Sequence, residues 1–173
     1  MRGGHTNTTS ASITYSSIVS RYSVIIALKI AALNGLEILA CDIQNYYLTA
    51  KCRELIWTMA GPVFGSEEGS IMVVKMDIYG LKLSGSTFRA ELASLLHNIG
   101  YTPSKADPDL WMRPAIKSYG TEYYKYALFY VDGLLVISCV PMKTIKGIKF
   151  VFKLKIDKAE PPDMYLGASL EKF

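Results

Sequence analysis

Ala127-Leu128-Phe129-Tyr130-Val131-Asp132-Gly133-Leu134-Leu135-Val136-Ile137-Ser138 is an apolar, aromatic run interrupted by a single carboxylate. It reads as two short strands joined by a tight turn, because Asp-Gly between hydrophobic runs is a strong hairpin signal and glycine adopts positive φ freely. On residue grounds alone a plain turn satisfies this pattern. A second isolated carboxylate, Asp42, stands near the end of another apolar stretch, Leu36-Glu37-Ile38-Leu39-Ala40-Cys41-Asp42-Ile43. Two strand-borne aspartates suggest a site for a divalent metal, which takes hard oxygen ligands.

Outward from these two strands, the spacing of apolar residues fixes the neighbours. The nearly continuous apolar stretch from Tyr22 to Leu33 ends at Asn34-Gly35, a favoured helix C-terminus, and predicts a buried helix. Phe88, Leu92, Leu95, Leu96 and Ile99 recur at helical spacing until Gly100 and predict an amphipathic helix. Between them, Ile56 to Met59 and Ile71 to Val74 read as strands separated by glycine turns. Leu110 to Met112 and Glu122 to Val131 read as a strand pair around Ser118-Tyr119-Gly120; Ile145, Ile148 and Phe152 allow a short helix, and Tyr165 to Leu170 a last strand. Trp57 and Trp111 are expected in core or edge packing, His97 on the polar side of its helix, and Asp107, before Pro108, as a turn cap.

With 173 residues the chain has room for one cored domain or a fragment of a larger enzyme. Half its residues are hydrophobic and 20% charged, which excludes a mostly disordered chain. No apolar run approaches the roughly 20 residues of a membrane span. The formal net charge of +4 suits a polyanionic partner without requiring one; Lys143, Lys146, Lys149, Lys153, Lys155 and Lys158 crowd one stretch that also reads as a solvated face. Three cysteines without paired spacing, Cys41, Cys52 and Cys139, point to a reducing compartment. Residues 1–20, rich in Ser and Thr and lacking an apolar signal core, read as a loose tail, so a cytoplasmic location is expected.

The order of motifs from Arg21 to Glu171 resembles the reverse transcriptase of copia-type LTR retrotransposons. Cys41-Asp42-Ile43-Gln44-Asn45-Tyr46-Tyr47-Leu48-Thr49 is similar to the family's first motif, an aspartate at a strand end followed five residues on by an aromatic. Ile78-Tyr79-Gly80-Leu81-Lys82-Leu83-Ser84 resembles its Leu-Tyr-Gly-Leu-Lys-Gln-Ser loop, where Gly80, Lys82 and Ser84 match while Leu83 and the following Gly85 depart. Gly100-Tyr101 with Ser104, Asp107 and Leu110, then Tyr130-Val131-Asp132, Phe152-Lys153-Leu154-Lys155 and Tyr165-Leu166-Gly167 follow in register.

The resemblance implies an α+β fold: the palm of a right-hand polymerase, an antiparallel sheet with helices on one face, and part of the fingers, over residues 21–173 with thumb and RNase H segments absent. It implies Asp42 and Asp132 as catalytic, Mg²⁺-binding residues for two-metal nucleotidyl transfer, and Tyr47, Gly80, Lys82 and Ser84 on the nucleotide and template side. RNA/DNA template-primer and dNTP are the implied partners. The family has Asp where this chain has Gly133, and a small residue where it has Tyr46, so a weak or inactive, decayed or truncated copy is expected. A non-catalytic nucleic-acid-binding remnant, and a chain that folds poorly, remain open alternatives.

Overall fold

The computed structural model describes residues 18–44, 52, 55–76, 84–155, 159–165 and 168–170. The chain divides into two units, one of residues 1–16 and 46–91 and one of residues 17–45 and 92–173. The division falls inside helix α2 (Ser84–Asn98).

In the second unit, α1 (Arg21–Asn34) is framed by matched end signals. The Ser20 hydroxyl accepts a bond from the Ser23 N–H at 3.1 Å, and Gly35, at φ 58, closes the last turn onto Ala31 and Ala32. Ile18 to Ser20, expected in the tail, are built into this unit. Ile18 bridges Tyr130, the Val19 N–H donates to the Phe129 carbonyl at 2.9 Å, and Val19 is buried.

β1 (Glu37–Asp42), β4 (Thr102–Pro103), β5 (Leu110–Ile116), β6 (Glu122–Tyr130) and β7 (Gly133–Ser138) form an antiparallel sheet in the order β1-β7-β6-β5-β4. The register gives each face a distinct set of partners. Ile38, Ala40, Leu110, Met112, Tyr126, Leu128, Leu135 and Ile137 share one face and pack with Val24, Ala27 and Ala31 of α1. Trp111, Ala127, Phe129, Leu134, Val136 and Cys41 share the other, since paired residues project from the same side of a pleated sheet. On that side His97 of α2 meets Trp111 edge-on at 5.1 Å, and α3 (Pro141–Lys149) packs on β7 and β1, tied by a 3.0 Å bond between the Tyr101 and Thr144 hydroxyls.

Helices therefore cover both faces, which corrects the expectation of helices on one. The reason lies in the central strands: β6 and β7 are buried over Tyr126–Phe129 and Leu134–Ser138 without alternation, the pattern of strands walled on both sides. The helix expected to be buried is corrected too, because α1 buries one stripe and exposes another, with Tyr22 81% and Leu33 86% accessible. The last strand is a small hairpin, β8 (Met164–Tyr165) against β9 (Ala168–Ser169).

In the first unit, β2 (Trp57–Met59) pairs antiparallel with β3 (Ile71–Val73) around a 3-10 turn, Pro62–Glu67. Both expected strands are present there, though Trp57 is half exposed.

Candidate functional site

The backbones of the two aspartates singled out by the sequence lie at the same end of the sheet. Asp42, last residue of β1, pairs with Gly133, first residue of β7, and Asp132 is the neighbour of Gly133 in the β6–β7 turn. The next residue along, Ile43, donates its N–H to the Asp132 carbonyl at 2.8 Å. Ninety residues of chain separate the two acids, and sheet pairing brings their backbones to neighbouring-strand spacing of about 5 Å. Both residues are exposed, so the end of the sheet presents them to solvent.

The turn is built differently from the expectation. Tyr130 pairs with Gly133, so the two loop residues are Val131 and Asp132, and the positive φ falls on Val131, at 55°. A positive φ at only the first loop residue is the primed-turn pattern that normally selects glycine there. Gly133 itself lies in β7 with no positive φ, so glycine there brings no advantage to the turn. A Cβ at position 133 would meet the Tyr130 carbonyl oxygen at 3.3 Å, a tight but adjustable contact. It would also project from the same face as the Asp42 side chain, about 5 Å away.

Lys155 is a member of this site that the sequence reading did not single out. Its N–H donates to the Asp42 carbonyl at 3.0 Å, and its ammonium lies 3.3 Å from Asp42 Oδ2. Both side chains remain about half exposed, so water and salt screen the pair. The signals were the lysine-rich stretch and the Phe152-Lys153-Leu154-Lys155 motif, neither of which says which lysine folds back to β1. Beneath Asp42, burial first and the Asp42 charge second push the Cys41 thiol up to about 11, leaving it protonated and inert.

Tyr165 is the other unforeseen neighbour. Among the described residues its hydroxyl is buried without a hydrogen-bond partner, and burial first and Tyr130 second raise its pKa. Of the remaining expected site residues, Ser84 is the buried first residue of α2, whereas Tyr47, Gly80 and Lys82 lie outside the described residues. Among the described residues, no group of three or more His, Cys, Asp or Glu side chains is placed to hold a metal.

A family model described as Reverse transcriptase (RNA-dependent DNA polymerase) matches residues 5–172. The chain belongs to this family. The motif order makes it a copia-type reverse transcriptase domain, and a curated relative agrees: the Retrovirus-related Pol polyprotein from transposon RE1 of Arabidopsis thaliana is 27% identical over 125 residues. That alignment covers 71% of this chain and 8% of the polyprotein, so the domain spans a small part of the relative it matches. No solved structure matches. Within this reverse transcriptase domain, no helix among the described residues is long and apolar enough to cross a membrane.

Proposed function

We propose that this domain is the palm and part of the fingers of a retrotransposon polymerase, in which Asp42 and Asp132 are the metal-holding carboxylates of template-directed DNA synthesis. The observation that carries this reading is the register of β1 on β7, which sets Asp42 opposite Gly133 and beside Asp132. Mg²⁺ is commonly held by one or two carboxylates completed by substrate phosphates and water, and two exposed aspartates at one strand end fit that donor set. When bound there with a dNTP, two such ions would promote attack by a primer 3′-hydroxyl and neutralise charge at the leaving oxygen. The chain's own part is positional: sheet pairing fixes both acids at one edge, and Lys155 neutralises Asp42 until a cation replaces it.

Gly133 leaves this set one carboxylate short of the family pattern, so the chain is proposed to bind metal weakly and to polymerise little. A lost ligand plausibly costs several kcal/mol of transition-state stabilisation. In a primer-extension assay, the chain is expected to give little product, Gly133→Asp at least tenfold more, and Gly133→Asp combined with Asp42→Asn none. Robust synthesis by the unaltered chain would refute the impairment, and synthesis surviving Asp42→Asn would refute the site. Binding of nucleic acid without turnover is a second reading, favoured by the absence of a three-acid cluster among the described residues.

A further inference from the structure

Away from the aspartates, the sheet carries an unusual pairing of like charges. Arg113 of β5 is the direct partner of Lys125 of β6, on the face that α2 and α3 cover. Like charges directly opposite on a sheet repel at about 5 Å. Lys125 is half-buried and lies five residues before the end of β6, about 16 Å along the strand from Tyr130. Lys143, in the first turn of α3, is the third member. Burial first, then the charges of Arg113 and Lys143, hold the Lys125 ammonium below its ordinary range.

The surroundings fix these cations without neutralising them. Gly100, at φ 83, makes room for the guanidinium: a Cβ there would lie 3.4 Å from Arg113 Nε. The Tyr101–Thr144 hydroxyl bond ties the start of α3 beside them. Among the described residues Arg113, Lys125 and Lys143 have neither an ion pair nor a hydrogen-bonding side-chain partner. Lys146 and Lys149 follow Lys143 at three-residue steps along the exposed side of α3, rising about 4.5 Å per step.

We propose that Arg113, Lys125 and Lys143 form a phosphate-binding site that, with Lys146 and Lys149, holds a single strand of nucleic acid remote from the Asp42–Asp132 edge. A paired Arg113 and Lys125 with Lys143 close enough to repel Lys125 suit one phosphodiester, and the lysine row extends the contact beyond what a lone phosphate would occupy. The choice of nucleic acid as the polyanion rests on the polymerase reading above; the anion site itself does not.

The test is fluorescence anisotropy of a labelled single-stranded oligonucleotide without divalent metal, so that failure of the Asp42–Asp132 chemistry leaves it unaffected. Arg113→Gln with Lys125→Gln and Lys143→Gln is compared with an equal loss of charge elsewhere, Lys29→Gln with Lys75→Gln and Lys105→Gln. Between roughly 50 and 200 mM salt the unaltered chain should lose about twentyfold more affinity than the site variant, a slope of about 0.7 for each of three contacts. The control should keep nearly the full slope. The site variant should melt no lower than the parent, because a repulsion has been removed. Equal slopes in parent and site variant, or equal losses in site and control variants, would overturn the proposal. Titration with inorganic phosphate that perturbs Lys125, without any change in oligonucleotide slope, would overturn the polynucleotide assignment.

Discussion

At the scale of the residue, the β6–β7 turn holds strain and the strand end beside it lacks charge. Val131 is β-branched at φ 55, a conformation that costs L residues roughly 1–2 kcal/mol. Val131→Gly should therefore stabilise the fold by about 0.5–1 kcal/mol after glycine's own entropy cost, raising Tm by about 1–4 °C in a calorimeter. Gly133→Asp should behave oppositely in one respect. Its φ is ordinary and its one tight contact is 3.3 Å from the Tyr130 oxygen, so the backbone tolerates it, but a carboxylate opposite Asp42 adds repulsion of about 1 kcal/mol or less. That loss should appear in EDTA and be recovered on adding Mg²⁺, since a ligand that binds only the folded state stabilises it. A melting temperature indifferent to Mg²⁺ in the revertant would count against a metal at this edge. Lys155 competes for the same oxygen, so Lys155→Gln should tighten Mn²⁺ binding about two- to fivefold by EPR, the size expected of a screened surface pair.

At the scale of the element, one carboxylate fastens the start of α1 to the segment before β5. Asp107 is buried, and its oxygens accept the Ser20 N–H at 2.8 Å and the Asp109 N–H at 3.0 Å. Burial alone would raise this carboxyl, but bonds from the Ser23 hydroxyl, the Ser20 N–H and the Asp109 N–H outweigh it and hold it below the usual range. A depressed native pKa contributes stability that is present above the unfolded value of about 3.9 and lost as pH falls through the native value. Asp107→Ala should cost about 2 kcal/mol at neutral pH, by leaving buried donors unpaired, and should flatten the acid limb of the stability curve in urea melts. The turn-capping role of Asp107 was legible from its position before Pro108, and the Asn34-Gly35 stop and the Gly100 stop were equally plain, because local backbone chemistry dictates them. The approach of the Asp42 strand end to the β6–β7 turn was legible only through motif order: register depends on contacts 90 residues apart that no local pattern encodes. The second wall of helix is encoded in the unalternating runs of β6 and β7, whereas the resemblance implied helices on one face only. Lys155 was hidden among equivalent lysines.

At the scale of the whole molecule, each unit exposes apolar surface in an ordered arrangement. In the sheet unit, Tyr22, Ile26 and Leu33 line the outer stripe of α1 at helical spacing. In the other, Trp57 pairs with Val73 and Met59 with Ile71, so all four project from one side of the β2–β3 hairpin, each at least half exposed, with Val63 at 94% in the turn between. Contiguous apolar patches of this kind mark contact surfaces or association liabilities, and a two-stranded ribbon is marginal without something packed on it. Expressed alone, the domain should therefore self-associate as concentration rises, measured by light scattering. Met59→Lys with Ile71→Glu replaces an exposed apolar pair by an opposite-charge pair, which on paired strands contributes about 0.2–1 kcal/mol. That double variant should lower association while leaving Tm unchanged or slightly higher. If it instead lowers Tm by several degrees, the hairpin face is buried in the folded chain and the association must arise from the outer stripe of α1, where Ile26→Lys is the corresponding change.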